Sequence, residues 1–138
     1  MRPGFAMGAP TGSPLRIVLI EDSPILREML RELLDEIDGV QVVADADDEA
    51  GALAELERHH ADLAIVDLEL RAGSGLGVLH HLNAEPERYG RPRAVVLSNY
   101  GHGTVRARCR ACGVEYFFDK SFQMDELIDF VQGEAARH

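Results

Sequence analysis

The amino-acid sequence predicts an α/β fold: a doubly wound parallel sheet of five strands with five helices. Two observations predict it. Short aliphatic runs without polar alternation recur along the chain, as strands covered on both faces require. Each is followed, after a short connection, by a segment of helical periodicity, the pattern of strand–helix units that build parallel sheets.

The elements follow in order. Ile17-Val18-Leu19-Ile20 is the first strand. Ser23-Pro24 then supplies an N-cap and a first-turn proline. Leu26, Met29, Leu30, Leu33, Leu34 and Ile37 line one face of the helix behind it, and Asp38-Gly39 ends that helix. The alternation continues with a strand over Val40–Ala46, a helix over Glu49–His60, a strand over Leu63–Asp67 and a helix over Leu76–Asn83. Ala94–Ser98 and Tyr116–Asp119 are the last two strands, Val105–Cys112 and Asp125–Arg137 the last two helices. Residues 1–14, rich in Gly and Pro and without any period, are expected to form a flexible tail, leaving 15–138 as the domain.

Composition narrows the function classes. The chain has 138 residues, one domain's worth, and 46% hydrophobic with 28% charged residues is an ordinary globular mix. A formal net charge of −10 repels phosphate backbones and anionic lipid, so neither nucleic acid nor a membrane is an expected partner. No apolar run approaches the roughly 18 residues of a membrane span. The 2 cysteines cannot make a disulfide framework, and a cytoplasmic setting is expected. Cys109 and Cys112 fall with Val105 on the buried stripe of the fourth helix rather than in a redox or zinc motif. His59-His60 and His80-His81 read as surface histidines.

In parallel sheets of this class the ligand site lies beyond the carboxyl ends of the strands. Those ends carry Glu21-Asp22, Asp67, Ser98 and Lys120. Three carboxylates held close raise one another's pKa and destabilise the metal-free fold. Hard oxygen donors of this kind suit Mg²⁺ or Mn²⁺. A divalent cation with Lys120 would balance the three charges and leave room for phosphoryl oxygens. A carboxylate is also a competent phosphoryl acceptor, and phosphoryl transfer asks mainly for positioning and charge neutralisation.

These residues carry a resemblance. Val18-Leu19-Ile20-Glu21-Asp22, Ala64-Ile65-Val66-Asp67 with Gly75 eight residues on, Val95-Val96-Leu97-Ser98 and Phe117-Phe118-Asp119-Lys120 resemble the response-regulator receiver domains of two-component signalling, over about residues 15–135. The resemblance implies the flavodoxin-like receiver topology. It implies Asp67 as phosphoacceptor and Glu21, Asp22 and Asp67 as Mg²⁺ ligands, with the backbone carbonyl of Glu69. It further implies that Ser98 and Lys120 contact the phosphoryl group and that Phe117 is an aromatic switch. The implied function is phosphorelay rather than turnover of a substrate. A histidine kinase or histidine phosphotransfer protein would be the donor, and a protein target or second copy would be met through residues 102–137. Four positions depart from the family pattern: Glu21 for the commoner Asp, Arg71 for a proline, Asn99 for a smaller residue and Ser121 for a proline. Arg71 in place of proline predicts a looser loop after Asp67, and the peptide bond before Ser121, often cis in the family, is left open.

Three other readings compete. A haloacid-dehalogenase-like phosphatase also uses an Asp nucleophile and Mg²⁺, but its nucleophile ends the first strand, and Glu69 stands where its acid/base would be Asp. A flavin carrier of the same fold needs donor groups after the first strand, where Glu21-Asp22-Ser23-Pro24 is acidic. A receiver-like module that signals without phosphate is the third.

Overall fold

A computed structural model describes residues 13–99 and 103–138. Most of the tail expected over residues 1–14, and His102 at the edge of the expected output segment, lie outside the described residues. The elements run β1 (Leu15–Ile20), α1 (Pro24–Asp35), β2 (Val40–Ala46), α2 (Glu49–His59), β3 (Leu63–Val66), α3 (Gly75–Ala84), β4 (Arg93–Ser98), α4 (Gly103–Ala111), β5 (Phe117–Asp119) and α5 (Met124–Arg137). The strands form one 5-stranded sheet in the order β2-β1-β3-β4-β5, and every pairing is parallel. The chain direction across the sheet reverses beside β1, so the ends of β1 and β3 flank the crevice where such folds hold ligands.

Alternation within each strand divides the core. Val18, Ile20, Ala64, Val66 and Val96 pack toward α2, α3 and α4, whereas Ile17, Leu19, Ile65, Val95 and Leu97 pack toward α1 and α5. Both faces are dry, which explains the aliphatic runs seen in the sequence. Polar caps start three of the helices: Ser23, Asp48 and Ser74 each accept a backbone N–H from Leu26, Gly51 and Gly77 respectively. Among the described residues no helix is long and apolar enough to cross a membrane.

The first helix departs from expectation. Leu30 and Leu34 are fully buried, but Met29 and Leu33 are 42% and 38% exposed. The sheet face is shared with α5, whose Leu127 and Val131 are also fully buried, so only part of the six-residue stripe reaches the core.

Candidate functional site

Three buried polar residues stand out against this core: Glu21 at 1% exposure, Asp67 at 3% and Ser98 at 5%. Each follows or ends a strand of the central sheet, and the pairing registers bring them to one edge. Ile20 lies opposite Val66, and the Asp67 amide donates to the Ile20 carbonyl at 2.9 Å. Ser98 lies opposite Asp119, and the Lys120 amide donates to the Ser98 carbonyl at 3.3 Å.

The expected convergence of the three carboxylates and Lys120 is present. Carboxylate oxygens of Glu21, Asp22 and Asp67 all lie within 4.8 Å of one another. Lys120 Nζ reaches in from β5 and stands 2.9 Å from both Glu21 Oε1 and Asp67 Oδ2. It donates to Glu21 Oε2 at 3.2 Å and to Asp67 Oδ2 at 2.9 Å, while Glu21 Oε1, though beside the ammonium, accepts no hydrogen bond from the described groups. The other anchors are backbone groups: the Ser23 amide donates to Glu21 Oε2 at 3.0 Å and the Glu69 amide to Asp67 Oδ1 at 3.3 Å.

One ammonium faces three carboxylates, and the protonation equilibria follow. Burial pushes the Asp67 carboxyl up to about 7, and the Glu21 charge adds to this against the opposing pull of the Lys120 ammonium and the Glu69 amide. Burial also works against the charge of Asp22, yet hydrogen bonding within the cluster and the Lys120 charge leave its carboxyl below its usual value. Burial disfavours the Lys120 ammonium as well, but its contacts with Asp67 and Glu21 outweigh burial and raise its pKa. Burial therefore favours the protonated form of Asp67, while the contacts of Lys120 favour its charged form.

A folded-state pKa above the unfolded one means that the native protein binds more protons, so this group's contribution to stability falls as pH rises from about 4 through 7. The metal-free Asp67→Asn variant is accordingly expected to melt near the wild type at pH about 5 and clearly above it at pH about 8. Thermal melts in EDTA across that range check this, and a gap that narrows toward high pH would contradict it.

The loop after Asp67 is tied down rather than loose. The Arg71 amide donates to the Asp47 carbonyl at 2.9 Å and the Glu49 amide to the Ala72 carbonyl at 3.0 Å. Glu49 Oε1 accepts the Ser74 amide at 2.9 Å, and the Arg71 guanidinium pairs with both Asp47 and Asp48. Exposed ion pairs contribute little, so the backbone bonds and Glu49 hold this loop more than the Arg71 charge does. The far side of Asp67 is closed by backbone: a Cβ on Gly75 would stand 2.1 Å from the Asp67 carbonyl oxygen. Sequence reasoning did not find Glu49; only the adjacency of β1 to both β2 and β3 brings its helix start against this loop.

The remaining expectations resolve simply. Phe117 is half-buried at the start of β5, with the guanidinium carbons of Arg106 and Arg110 at 5.1 and 5.4 Å from its ring centroid. The described residues contain no cis peptide bond, so Lys120–Ser121 is trans, and the Ser121 hydroxyl donates to Asn99 Oδ1 at 3.3 Å. Cys109 is fully buried in the core, as its place on the helical stripe predicts.

Comparison with known proteins identifies the family and the fold. The family model of the response regulator receiver domain matches residues 17–132. The chain belongs to that family. Among curated relatives, this receiver is 35% identical over 89 residues to protein-glutamate methylesterase/protein-glutamine glutaminase 5 of Myxococcus xanthus, covering 64% of this chain and 25% of that protein. It is 33% identical over 76 residues to the nitrate/nitrite response regulator protein NarP of Escherichia coli, covering 55% of this chain and 35% of NarP. The receiver thus spans about a quarter to a third of the length of these relatives. Among solved structures, a two-component response regulator of the LuxR family from Aurantimonas superposes with a TM-score of 0.78 at 25% identity, over 91% of this chain and 88% of that one. The signal receiver domain of NarL from Mycobacterium tuberculosis gives 0.78 at 24% identity, over 92% and 100%, a likeness of fold.

Proposed function

We propose that this receiver takes a phosphoryl group from a phosphohistidine donor onto Asp67 and thereby switches a protein-binding surface. The observation that supports the reading most is the Lys120 ammonium held 2.9 Å from both Glu21 and Asp67 within a buried carboxylate cluster. Convergent charge of this kind has no packing rationale and marks functional sites. The alternatives, a phosphatase of the dehalogenase type and a module that works without phosphate, gain nothing from this geometry.

A divalent cation fits the residues present. Glu21 Oε1 is a buried carboxylate oxygen that lies beside the Lys120 ammonium but accepts no hydrogen bond from the described groups, and the three carboxylates are the hard donors that Mg²⁺ or Mn²⁺ prefers. Glu21, Asp22, Asp67 and the Glu69 carbonyl would hold the cation. When bound, it supplies charge neutralisation for the carboxylates and for the incoming phosphoryl oxygens.

The chain's own residues carry the rest. An ionised Asp67 oxygen attacks phosphorus, an acyl phosphate forms, and the P–N bond to the donor imidazole breaks with its electron pair left on that nitrogen. Lys120 is already paired with the nucleophile and is placed to meet the charge of the new phosphoryl group. The Ser98 hydroxyl would bond a phosphoryl oxygen, and its movement would let Phe117 turn inward and change the packing beside α4. A histidine kinase or histidine phosphotransfer protein in the cytoplasm is the donor this reading calls for. Incubation with Mg²⁺ and acetyl phosphate is expected to add one phosphoryl group, read by intact mass. Asp67→Asn is expected to abolish that addition, and uptake by the Asn variant would end the assignment.

A further inference from the structure

Among the described residues the charges of α4 have no counterpart. Arg106, Arg108 and Arg110 lie on this helix, which carries no Asp or Glu. Every Asp and Glu of the sequence is among the described residues, and none stands within ion-pair distance of these three guanidinium groups. The other described arginines are engaged: all but Arg16 have a carboxylate partner, and Arg16 gives its guanidinium to the His59 carbonyl at 2.7 Å. In a chain of net charge −10, leaving three cations unpaired on one helix is against the grain of the rest of the surface.

The local geometry adds to this. Arg106 and Arg110 are one helical turn apart, a spacing at which like charges repel. Both guanidinium groups lie over the Phe117 ring, at 5.1 and 5.4 Å from its centroid, so stacking holds them side by side with their donor edges unpaired. A carboxylate placed between two such forks would meet charge-assisted donors from both.

We infer that α4 docks an acidic segment of a protein partner, with partner carboxylates bridging Arg106 and Arg110 beside Phe117. The inference names the partner chemistry of the output surface and rests on the receiver reading for that surface's role. A short acidic segment fits better than nucleic acid. It needs only a few carboxylates at the patch, and the chain's remaining negative charge is screened beyond about 8 Å at physiological salt. A polyanion longer than the patch instead faces the acidic balance of the rest of the chain, whose net charge is −10.

The test uses the full chain and a fluorescent peptide of alternating Glu and Leu as probe, read by anisotropy. Wild type is expected to bind it, with affinity falling severalfold between about 50 and 300 mM NaCl. Arg106→Glu with Arg110→Glu is expected to weaken binding by about tenfold or more, and the milder Arg106→Gln with Arg110→Gln by a smaller factor in the same direction. Arg58→Glu, an exposed charge reversal on α2, is expected to leave binding within about twofold. Equal weakening by Arg58→Glu, absence of probe binding, tighter binding of duplex DNA than of the peptide, or loss of self-association in the α4 variants without an effect on peptide would each overturn the inference. Phosphoryl uptake from acetyl phosphate, measured on the same variants, is expected at the wild-type level. Failure of docking and failure of the receiver reading are thus separate results.

Discussion

Lys120→Met is expected to cost the metal-free protein about 3–5 kcal/mol, because it leaves Glu21 and Asp67 buried without their one cation. Calorimetric melts in EDTA would read this as a fall of about 10 °C or more. Two further results belong to the same cause. The loss should shrink as pH falls through about 7, since Asp67 then takes up a proton and one of the opposed charges disappears. It should also shrink when Asp67→Asn is combined with Lys120→Met, because removing a carboxylate removes part of what the ammonium neutralised. A single-variant loss under about 1 kcal/mol would mean that water or protonation already satisfies the cluster and that Lys120 is an ordinary surface cation.

Gly75→Ala is the second large effect. The new Cβ would meet the Asp67 carbonyl oxygen at 2.1 Å, the Leu68 Cα at 2.8 Å and the Asp67 carbonyl carbon at 2.9 Å. All three are backbone atoms, so no side chain can swing aside. The strand end and α3 must part, at a cost of about 3 kcal/mol, the upper end of what overpacking usually causes. Gly103→Ala is the matching control, since nothing lies within 4 Å of the position its Cβ would take. That variant is expected to stay within about 0.5 kcal/mol of wild type. Melts of both variants, with Mg²⁺ affinity by titration calorimetry, would check the pair. A stable Gly75→Ala protein with unchanged Mg²⁺ affinity would refute the close approach.

What the sequence made legible was whatever depends on near neighbours in the chain. Ile17 to Ile20 reads as a doubly covered strand because each of its side chains needs an apolar face, and both faces are present. Glu21, Asp67, Ser98 and Lys120 were readable because each closes or follows such a run, and strand ends of a parallel sheet share one edge. The contacts that needed strand order were not readable. The tie between Arg71 and Asp47, and that between Glu49 and Ser74, exist because β1 stands between β2 and β3. A residue type that breaks a family pattern suggested slackness there, whereas the backbone supplied the restraint. Met29 and Leu33, on the same helical stripe as Leu30 and Leu34, stay partly exposed for a related reason. Helical spacing counts apolar positions but not how much of a shared sheet face a neighbouring helix has already covered.

The span between the partners at the site has a consequence for how the chain comes together. Lys120 and Glu21 are 99 residues apart in sequence, and the lysine arrives on a strand of three residues at the sheet's margin. Closing so long a loop is costly in entropy, so the pairing of Lys120 with the acidic edge is expected to form after local contacts. The same margin is where opening short of global unfolding begins, since a three-residue strand is held by few ladder bonds. When β5 peels away, it takes Lys120 with it and leaves the carboxylates facing one another, so fraying and charge repulsion reinforce each other. Whatever binds across that edge, whether cation or phosphoryl group, therefore acts as a clasp on the short outer strand of the sheet.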